Sequence, residues 1–347
     1  MNRILVTCIG GHFTYEIIKS LKKENFYVAG CDIKKTKNSI FVDNFFYSLD
    51  PKKSEVNYIN NILKECKKNR INIVIPTSEN EVSAIANNLE KFKKKKIKVP
   101  ISDNKIVKIM SDKHRIFKFL NDKNIDVGKW VLIKNIIHLK KIFKNRIFKN
   151  KIYILKPRKS SGSRGVLIIN DKLDKFRYLL DDTDRFCGTG NLNSIIKELK
   201  RNKKNLRNYI LMPYHQNKTF DVDCLAKNGK LILCVTRLRK YENPFSPINQ
   251  GCEISNNKSI SKYCEKIVNA LNIDGCCDFD IVIRNDKKPQ LLDSSCRLSG
   301  SCTASLEAGI NIPVNLINLI NNKKIYLKKI KKKITVYPQN RFESFIK

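Results

Sequence analysis

The chain begins with Ile4-Leu5-Val6-Thr7-Cys8-Ile9, a short apolar run that stops at Gly10-Gly11. Ile17, Ile18 and Leu21 then share one face of a helical repeat, and Phe26 to Asp32 forms a second short run of apolar residues closed by a carboxylate. Apolar run, amphipathic segment, apolar run predicts a β-α-β unit. The alternation continues with a helix around 55–69, a buried strand at Ile71–Pro76, a helix from Ser78 to Leu89 and a short strand at Ile97–Ile101 after the lysines of 93–96. Strands alternating with helices predict a parallel sheet within about the first hundred residues. Gly10-Gly11-His12-Phe13-Thr14 lacks the third glycine of a dinucleotide fingerprint and reads as a tight βα turn.

From about 106 the pattern changes. Ser111-Asp112-Lys113 opens a helix whose apolar face is Ile116, Phe117 and Leu120, with Ser111 or Asp112 as its cap. A strand over Lys151–Leu155 runs through Lys156-Pro157 into the loop 158–165 and returns as Val166–Ile169, a predicted hairpin. A polar insertion occupies about 171–208. The last third predicts strands at Tyr209–Met212, Phe220–Lys227, Lys230–Arg237, Phe279–Arg284 and Pro289–Asp293, with helices at about 259–272 and 303–319. Basic and apolar residues alternate over 321–347, as in one or two edge strands. No apolar run approaches the roughly 20 residues that span a bilayer, and the first run is too short for a signal peptide, so a cytoplasmic protein with no membrane partner is expected.

Composition alters this picture less than its numbers first indicate. The 347 residues carry 69 Lys+Arg against 32 Asp+Glu, a formal charge of +37, and 41% hydrophobic residues rule out a wholly disordered basic chain. Such charge raises a nucleic-acid partner. Lysine rises here together with 39 Asn and 46 Ile, the mark of an AT-rich coding bias that loads exposed positions whatever the function. There is also no aromatic stacking motif or recognition helix, so nucleic acid is an unlikely partner. The twelve cysteines are scattered without a C-x-x-C pair, and the four histidines lack ligand-like spacing, so free buried thiols are expected.

Two segments carry chemistry. In the hairpin loop, Gly162 and Gly165 with Ser160, Ser161 and Ser163 allow backbone N–H groups close to phosphate oxygens, and Lys156, Arg158, Lys159 and Arg164 supply positive charge. No Gly-Lys-Ser/Thr opens a helix, so this is not a Walker loop, and an ordinary exposed hairpin fits the same residues. In the second segment, Asp278 and Asp280 face one side of a strand, and a turn over 285–289 leads to Gln290–Asp293. An in-register hairpin brings Asp280 beside Asp293. Two carboxylates in an apolar sheet require a cation, most naturally Mg²⁺. Arg297, four residues on, reaches the same phosphates.

In order and spacing these pieces resemble the ATP-grasp superfamily, in particular carbamoyl phosphate synthase large subunit-like carboxylate–amine ligases. The resemblance rests on Ile75-Pro76-Thr77-Ser78-Glu79-Asn80-Glu81 in the leading unit, the Ser-Asp-Lys helix and the Leu-Lys-Pro strand. It continues through the loop 160–165, Leu211-Met212-Pro213-Tyr214 as the adenine hinge, and Phe220-Asp221-Val222-Asp223 as the following strand. Asp280, Asp293 through Arg297, and Ala308–Pro313 complete it. It implies an α/β chain, α+β in its ATP-binding lobes, with the ATP-grasp fold and an N-terminal Rossmann-like pre-ATP-grasp domain. The implied divisions are a pre-ATP-grasp domain over 1–105, a small lobe over 106–210, a large lobe with the metal site over 211–320 and basic strands over 321–347.

The resemblance further implies that Lys113 and Lys156 contact the ATP phosphates under the loop Ser160, Ser161, Gly162, Ser163 and Gly165. Leu211, Met212 and Tyr214 would form the adenine site, with the main chain of the first two holding the base. Asp280, Asp293 and Ser295 would carry Mg²⁺, with Mn²⁺ acceptable, and Arg297 would bind the transferred phosphoryl group. Three replacements set this chain apart: Asp293 for Glu, Ser295 for Asn and Cys296 for Pro, and Thr219 stands where many members place a ribose-binding Glu. A shorter carboxylate and a weaker oxygen ligand loosen one metal position. The implied activity joins a small carboxylate to an amine through an acyl phosphate, with ATP and the two substrates as partners and a homodimer as a compatible assembly. The alternatives are phosphoryl transfer without ligation and, from another class, a basic nucleic-acid-binding protein with a degenerate ATP site. Arg237 and Arg239 are candidates for holding the substrate carboxylate, or else surface arginines on an edge strand.

Overall fold

The structure is a computed structural model that describes residues 2–11, 14–145, 152–160, 162, 164–179, 187–240, 251–328, 330 and 332–339. The N-terminal part is β1 (Arg3–Val6), α1 (Thr14–Lys23), β2 (Tyr27–Asp32), β3 (Asn44–Tyr47), α2 (Glu55–Lys68), β4 (Ile73–Ile75), α3 (Glu79–Ala86), α4 (Leu89–Lys94) and α5 (Asn104–Met110). Its four strands form one sheet, ordered β3-β2-β1-β4, and all three pairings are parallel. The expected alternation is therefore present, with one strand more and one fewer. β3 escapes the sequence pattern because its burial is only partial. The segment expected as a strand at 97–101 contributes a single bridge, Lys98 opposite Ile73, and the single helix expected from Ser78 breaks at Asn87-Asn88 into α3 and α4. The Gly10 amide donates to the Asp32 carboxylate at 2.9 Å, so the acid that ends β2 closes the turn after β1; His12 and Phe13 lie outside the described residues.

A buried carboxylate sits in the first turn of α3, beside the end of β1. Glu81 accepts hydrogen bonds from Thr7 Oγ1 (2.6 Å), Ser78 Oγ (2.8 Å) and Tyr58 OH (3.3 Å). Burial raises its pKa, and the three hydroxyls offset that rise only in part. Above the ordinary carboxyl value of about 4.3, the folded chain still holds a proton that the unfolded chain has lost. This contribution to stability is thus complete below about pH 4.3 and disappears as pH rises through the raised value. Glu81→Gln, which imitates the protonated form, is expected to flatten this part of the pH–stability curve, as read from urea midpoints between pH 4 and 8.

The middle part is α6 (Lys113–Asp122), β5 (Val131–Leu132), α7 (Ile136–Lys144), β6 (Ile152–Pro157), β7 (Leu167–Asn170), β8 (Arg177–Tyr178), β9 (Gly188–Gly190), α8 (Leu192–Arg201) and β10 (Tyr209–Pro213). Its sheet runs β5-β10-β6-β7-β9-β8. The described residues of the polar insertion expected over 171–208 carry β8, β9 and α8. Gly188 and Gly190 let β9 lie against Phe176, where an added Cβ would come within 2.2 Å of the ring at Gly188, and Ile195, Ile196 and Leu199 of α8 enter the local core.

The last part is β11 (Thr219–Lys227), β12 (Lys230–Arg239), β13 (Cys252–Ser255), α9 (Lys258–Leu271), β14 (Gly275–Ile283), β15 (Pro289–Ser295), α10 (Ile312–Ile320) and β16 (Ile334–Val336). The strand order is β15-β14-β11-β12-β13-β16. The helix expected near 303–319 is two pieces: a 3-10 turn over Cys302–Ala308 ends at Gly309 with φ 73°, and α10 starts afresh behind an Asn311 cap and Pro313.

The chain divides into two compact units. The first contains Met1–Val107, Thr219–Asp280 and Ser295–Lys347, and the second Lys108–Lys218 and Ile281–Ser294. One core of the first unit joins Ile4, Val6, Ile17 and Ile18 to Leu225, Val235, Ile254, Leu316 and Ile317. The second unit packs Leu139, Leu155, Ile169, Ile195 and Leu211 together.

Candidate functional site

In the second unit the site begins with a helix cap. Asp112 accepts from the amides of His114 and Arg115 and thereby starts α6 at Lys113. The same carboxylate receives two hydrogen bonds from Arg158, at 3.1 and 2.7 Å. Burial alone would raise the Asp112 carboxyl, but Arg158 and the two amides hold it below its ordinary value. The Lys113 amide also donates to Arg158 O at 2.9 Å, which fastens the first turn of α6 to the end of β6.

So placed, the buried Lys113 side chain puts Nζ 2.8 Å from Asp293 Oδ1 and 2.9 Å from Ser160 O. Lys156, on β6 opposite Ile210, is also buried and donates to Leu292 O at 3.5 Å. Two cations, a carboxylate and the start of the small-residue loop therefore gather at one place. Within that loop Ser160 Oγ donates to Arg164 O at 2.7 Å, and Gly162 and Gly165 have φ of 61° and 77°, which a side chain would strain. Ser161 and Ser163 lie outside the described residues. Leu211 is a strand-interior residue, opposite Leu155 on one side and Val131 on the other, and Met212 lies opposite Ile154. Tyr214 follows the strand, its amide donating to Ile152 O at 3.0 Å, and burial raises its phenol pKa.

In the first unit, alternate residues of three strands build an ionic face. Arg237 is 1% exposed, bonds Asp223 (2.7 Å) and Ser299 (3.0 Å), and also donates to Ser301. Arg239 bonds Asp221 at 2.5 Å and Asp280 at 3.0 Å. Neither arginine is a surface group, and β12 is no edge strand, since β11 and β13 flank it. Asp278 completes the group. Burial and then the charges of Asp223 and Asp280 push its carboxyl well above the ordinary value. Arg297 pairs with Glu79 at 3.0 Å.

The chemistry of this face suits a cation. Asp221, Asp223, Asp278 and Asp280 outnumber the two arginines bonded among them. Asp278 Oδ1 and Ser295 Oγ are buried oxygens with no hydrogen-bond partner among the described residues, and such oxygens are costly unless something binds them. Of the residues singled out by sequence, Lys113, Lys156, Ser160 and Asp293 gather in the second unit. Asp280, Ser295 and Arg297 belong to the first. The pairings of Asp112 with Arg158 and of Glu79 with Arg297, and the paired roles of Asp221 and Asp223, were not anticipated. The signal available for the aspartates was a pair of acids two apart on one strand facing a pair of arginines two apart on the next.

Two buried lysines, Lys113 at the start of α6 and Lys156 on β6, thus lie beside a glycine-containing loop, and a second sheet carries acids and arginines. The chain carries an ATP-grasp domain and a PylC-like N-terminal domain. Residues 205–342 match the family described as ATP-grasp in the biosynthetic pathway with Ter operon, and residues 4–100 match the PylC-like N-terminal domain. Among solved structures, the chain is similar to an L-amino acid ligase from Bacillus licheniformis, with TM-score 0.68, 12% identity, and coverage of 92% of this chain and 74% of the other. It is also similar to biotin carboxylase from Campylobacter jejuni, with TM-score 0.68, 14% identity and coverage of 94% and 72%. A third is the ADP complex of N5-carboxyaminoimidazole synthetase from Staphylococcus aureus, with TM-score 0.67, 13% identity and coverage of 96% and 80%. At these identities the likeness is one of fold. No curated protein gives a significant sequence match. No described helix is long and apolar enough to cross a membrane.

Proposed function

We propose that this protein is an ATP- and Mg²⁺-dependent ligase that activates a small-molecule carboxylate as an acyl phosphate and joins it to an amine, releasing ADP and phosphate. The observation that carries this reading is the convergence of Lys113 on both Asp293 Oδ1 and the Ser160 carbonyl, with Lys156 at the neighbouring Leu292 carbonyl. Two ammonium groups at the root of a glycine-containing loop neutralise and orient a polyphosphate. In this reading the loop 160–165 covers the phosphates and the hinge at Leu211, Met212 and Tyr214 receives the base. Arg297 binds the transferred phosphoryl group, and Glu79, now its partner, yields it to substrate. Asp280, Asp293 and Ser295 are the oxygen ligands for Mg²⁺, which when bound offsets phosphate charge. Closure over the site keeps water from the acyl phosphate.

The assignment carries with it a pre-ATP-grasp domain over 1–105, two ATP-binding lobes over 106–210 and 211–320, and a cytoplasmic homodimer as its setting. The L-amino acid ligase among the similar structures favours carboxylate and amine as the two substrates. The test is a screen of ADP release over paired carboxylates and amines with Mg²⁺. Release that requires both members of a pair supports ligation. Release at full rate with the acid alone would replace it with simple phosphoryl transfer. Retention of nucleic acid at physiological salt, with no ADP release for any pair, would favour a binding protein.

A further inference from the structure

The sheet that bears the acids and arginines has an opposite face, and cysteines meet there. On β11 and β12, Cys224 lies directly opposite Cys234. Cys264 comes from α9, and the three sulfur atoms lie within 4.8 Å of one another. All three thiols are free, with Cys224 and Cys264 buried and Cys234 half-buried. Cys277 of β14 adds a fourth thiol that interacts with Cys224. Isolated core cysteines behave as small hydrophobes, but three at mutual contact form a ligand set. With sulfur–metal bonds of about 2.3 Å, three sulfurs on one pyramidal centre sit roughly 3.5 Å apart, so sulfurs that lie within 4.8 Å of one another must draw together by up to about 1.3 Å.

We infer that Cys224, Cys234 and Cys264 form a binding site for a trivalent thiophilic metalloid of the arsenite class. Charge selects this ligand. The strongest influences on the Cys264 thiol are burial and the neighbouring sulfurs of Cys224 and Cys234, and they push its pKa well above the ordinary thiol value. Three thiolates around a monovalent or divalent ion would leave net negative charge in an apolar core, where an uncompensated charge is strongly disfavoured. A trivalent centre with three thiolates is neutral. The exchange also balances with protonated thiols: As(OH)₃ and three S–H groups give As(S)₃ and three waters. Three As–O bonds break, three As–S bonds form, each thiol proton leaves on a hydroxide, and no atom changes oxidation state. The half-buried Cys234 is the access route. The bound centre would clamp β11, β12 and α9 together behind the ionic face.

The test uses the full chain, reduced and incubated with arsenite. Native mass spectrometry is expected to show one arsenic per chain with all three hydroxides lost, and a thiol titration should fall by three groups. Cys234→Ser and Cys264→Ser should each weaken binding at least tenfold, while Cys276→Ser should leave it unchanged. Cys234, being half-buried, is the variant least prone to misfold, and circular dichroism confirms that it has folded. Three results would overturn the inference: no adduct, an adduct that survives both cluster variants but disappears in Cys276→Ser, or stoichiometric zinc held by the same thiols in preference to arsenite.

Discussion

Arg237→Met is expected to lower the unfolding free energy by about 3–5 kcal/mol, the cost of leaving a buried partner charge uncompensated. The guanidinium is 1% exposed and spans Asp223, Ser299 and Ser301. Methionine fills much of the same space and supplies none of the five donors. Asp223 is itself buried, and burial already raises its carboxyl above the ordinary value despite the charge of Arg237. Without the arginine it must take up a proton or strain the sheet. Urea denaturation followed by far-UV circular dichroism measures the loss. The double variant Arg237→Met/Asp223→Leu should recover much of it, because removing both members of a buried pair costs far less than removing one. If the single variant loses under 1 kcal/mol, the ionic face is not a structural element of the first unit.

Asp293→Asn is expected to reduce Mg²⁺-dependent ADP release by roughly 10²–10³-fold, the scale seen when one preorganised electrostatic group that stabilises a transition state is removed. Asparagine keeps an oxygen for the ammonium of Lys113, which lies 2.8 Å from Oδ1, so the local fold survives while the ligand charge is lost. The same contact means that Lys113 and a cation compete for Asp293. Lys113→Met should therefore reduce the Mg²⁺ needed for half-maximal release while raising the KM for ATP. Those opposite movements distinguish a site lysine from one that merely supports the helix. Equal activity of Asp293→Asn and the parent chain would remove Asp293 from the site.

What could be read in the sequence and what could not divide along a physical line. The placements of Lys113 at a helix start and Lys156 near a strand end were legible because each is set by a local event, a cap and the end of an apolar run. The β-α-β start and the hairpin around Gly162 and Gly165 were legible for the same reason, since period and turn chemistry act over a few residues. The split at Asn87-Asn88 and the strand Asn44–Tyr47 were not, because tertiary packing decides them. Arg237 shows the limit most plainly. Its charge pointed outward, yet long-range pairing with Asp223 and the serines after β15 made it one of the most buried side chains. The thiols were invisible as a group because Cys224, Cys234 and Cys264 come from three elements, and no spacing rule links two strands to a later helix.

The make-up of the first unit also bears on how this chain is made. Ile4, Val6 and Ile17 share a core with Leu316 and Ile317, so these early elements wait for a helix synthesised about three hundred residues later. At about 5–20 residues per second, a ribosome takes roughly 15–60 s to cover that distance. Throughout that interval the apolar side of the early sheet lacks part of its cover, and contacts of such long sequence separation form slowly. Holdase chaperones should therefore favour nascent chains stalled before Ile312 over chains that have passed Ile320. The high lysine content gives the waiting chain solubility for as long as that cover is missing.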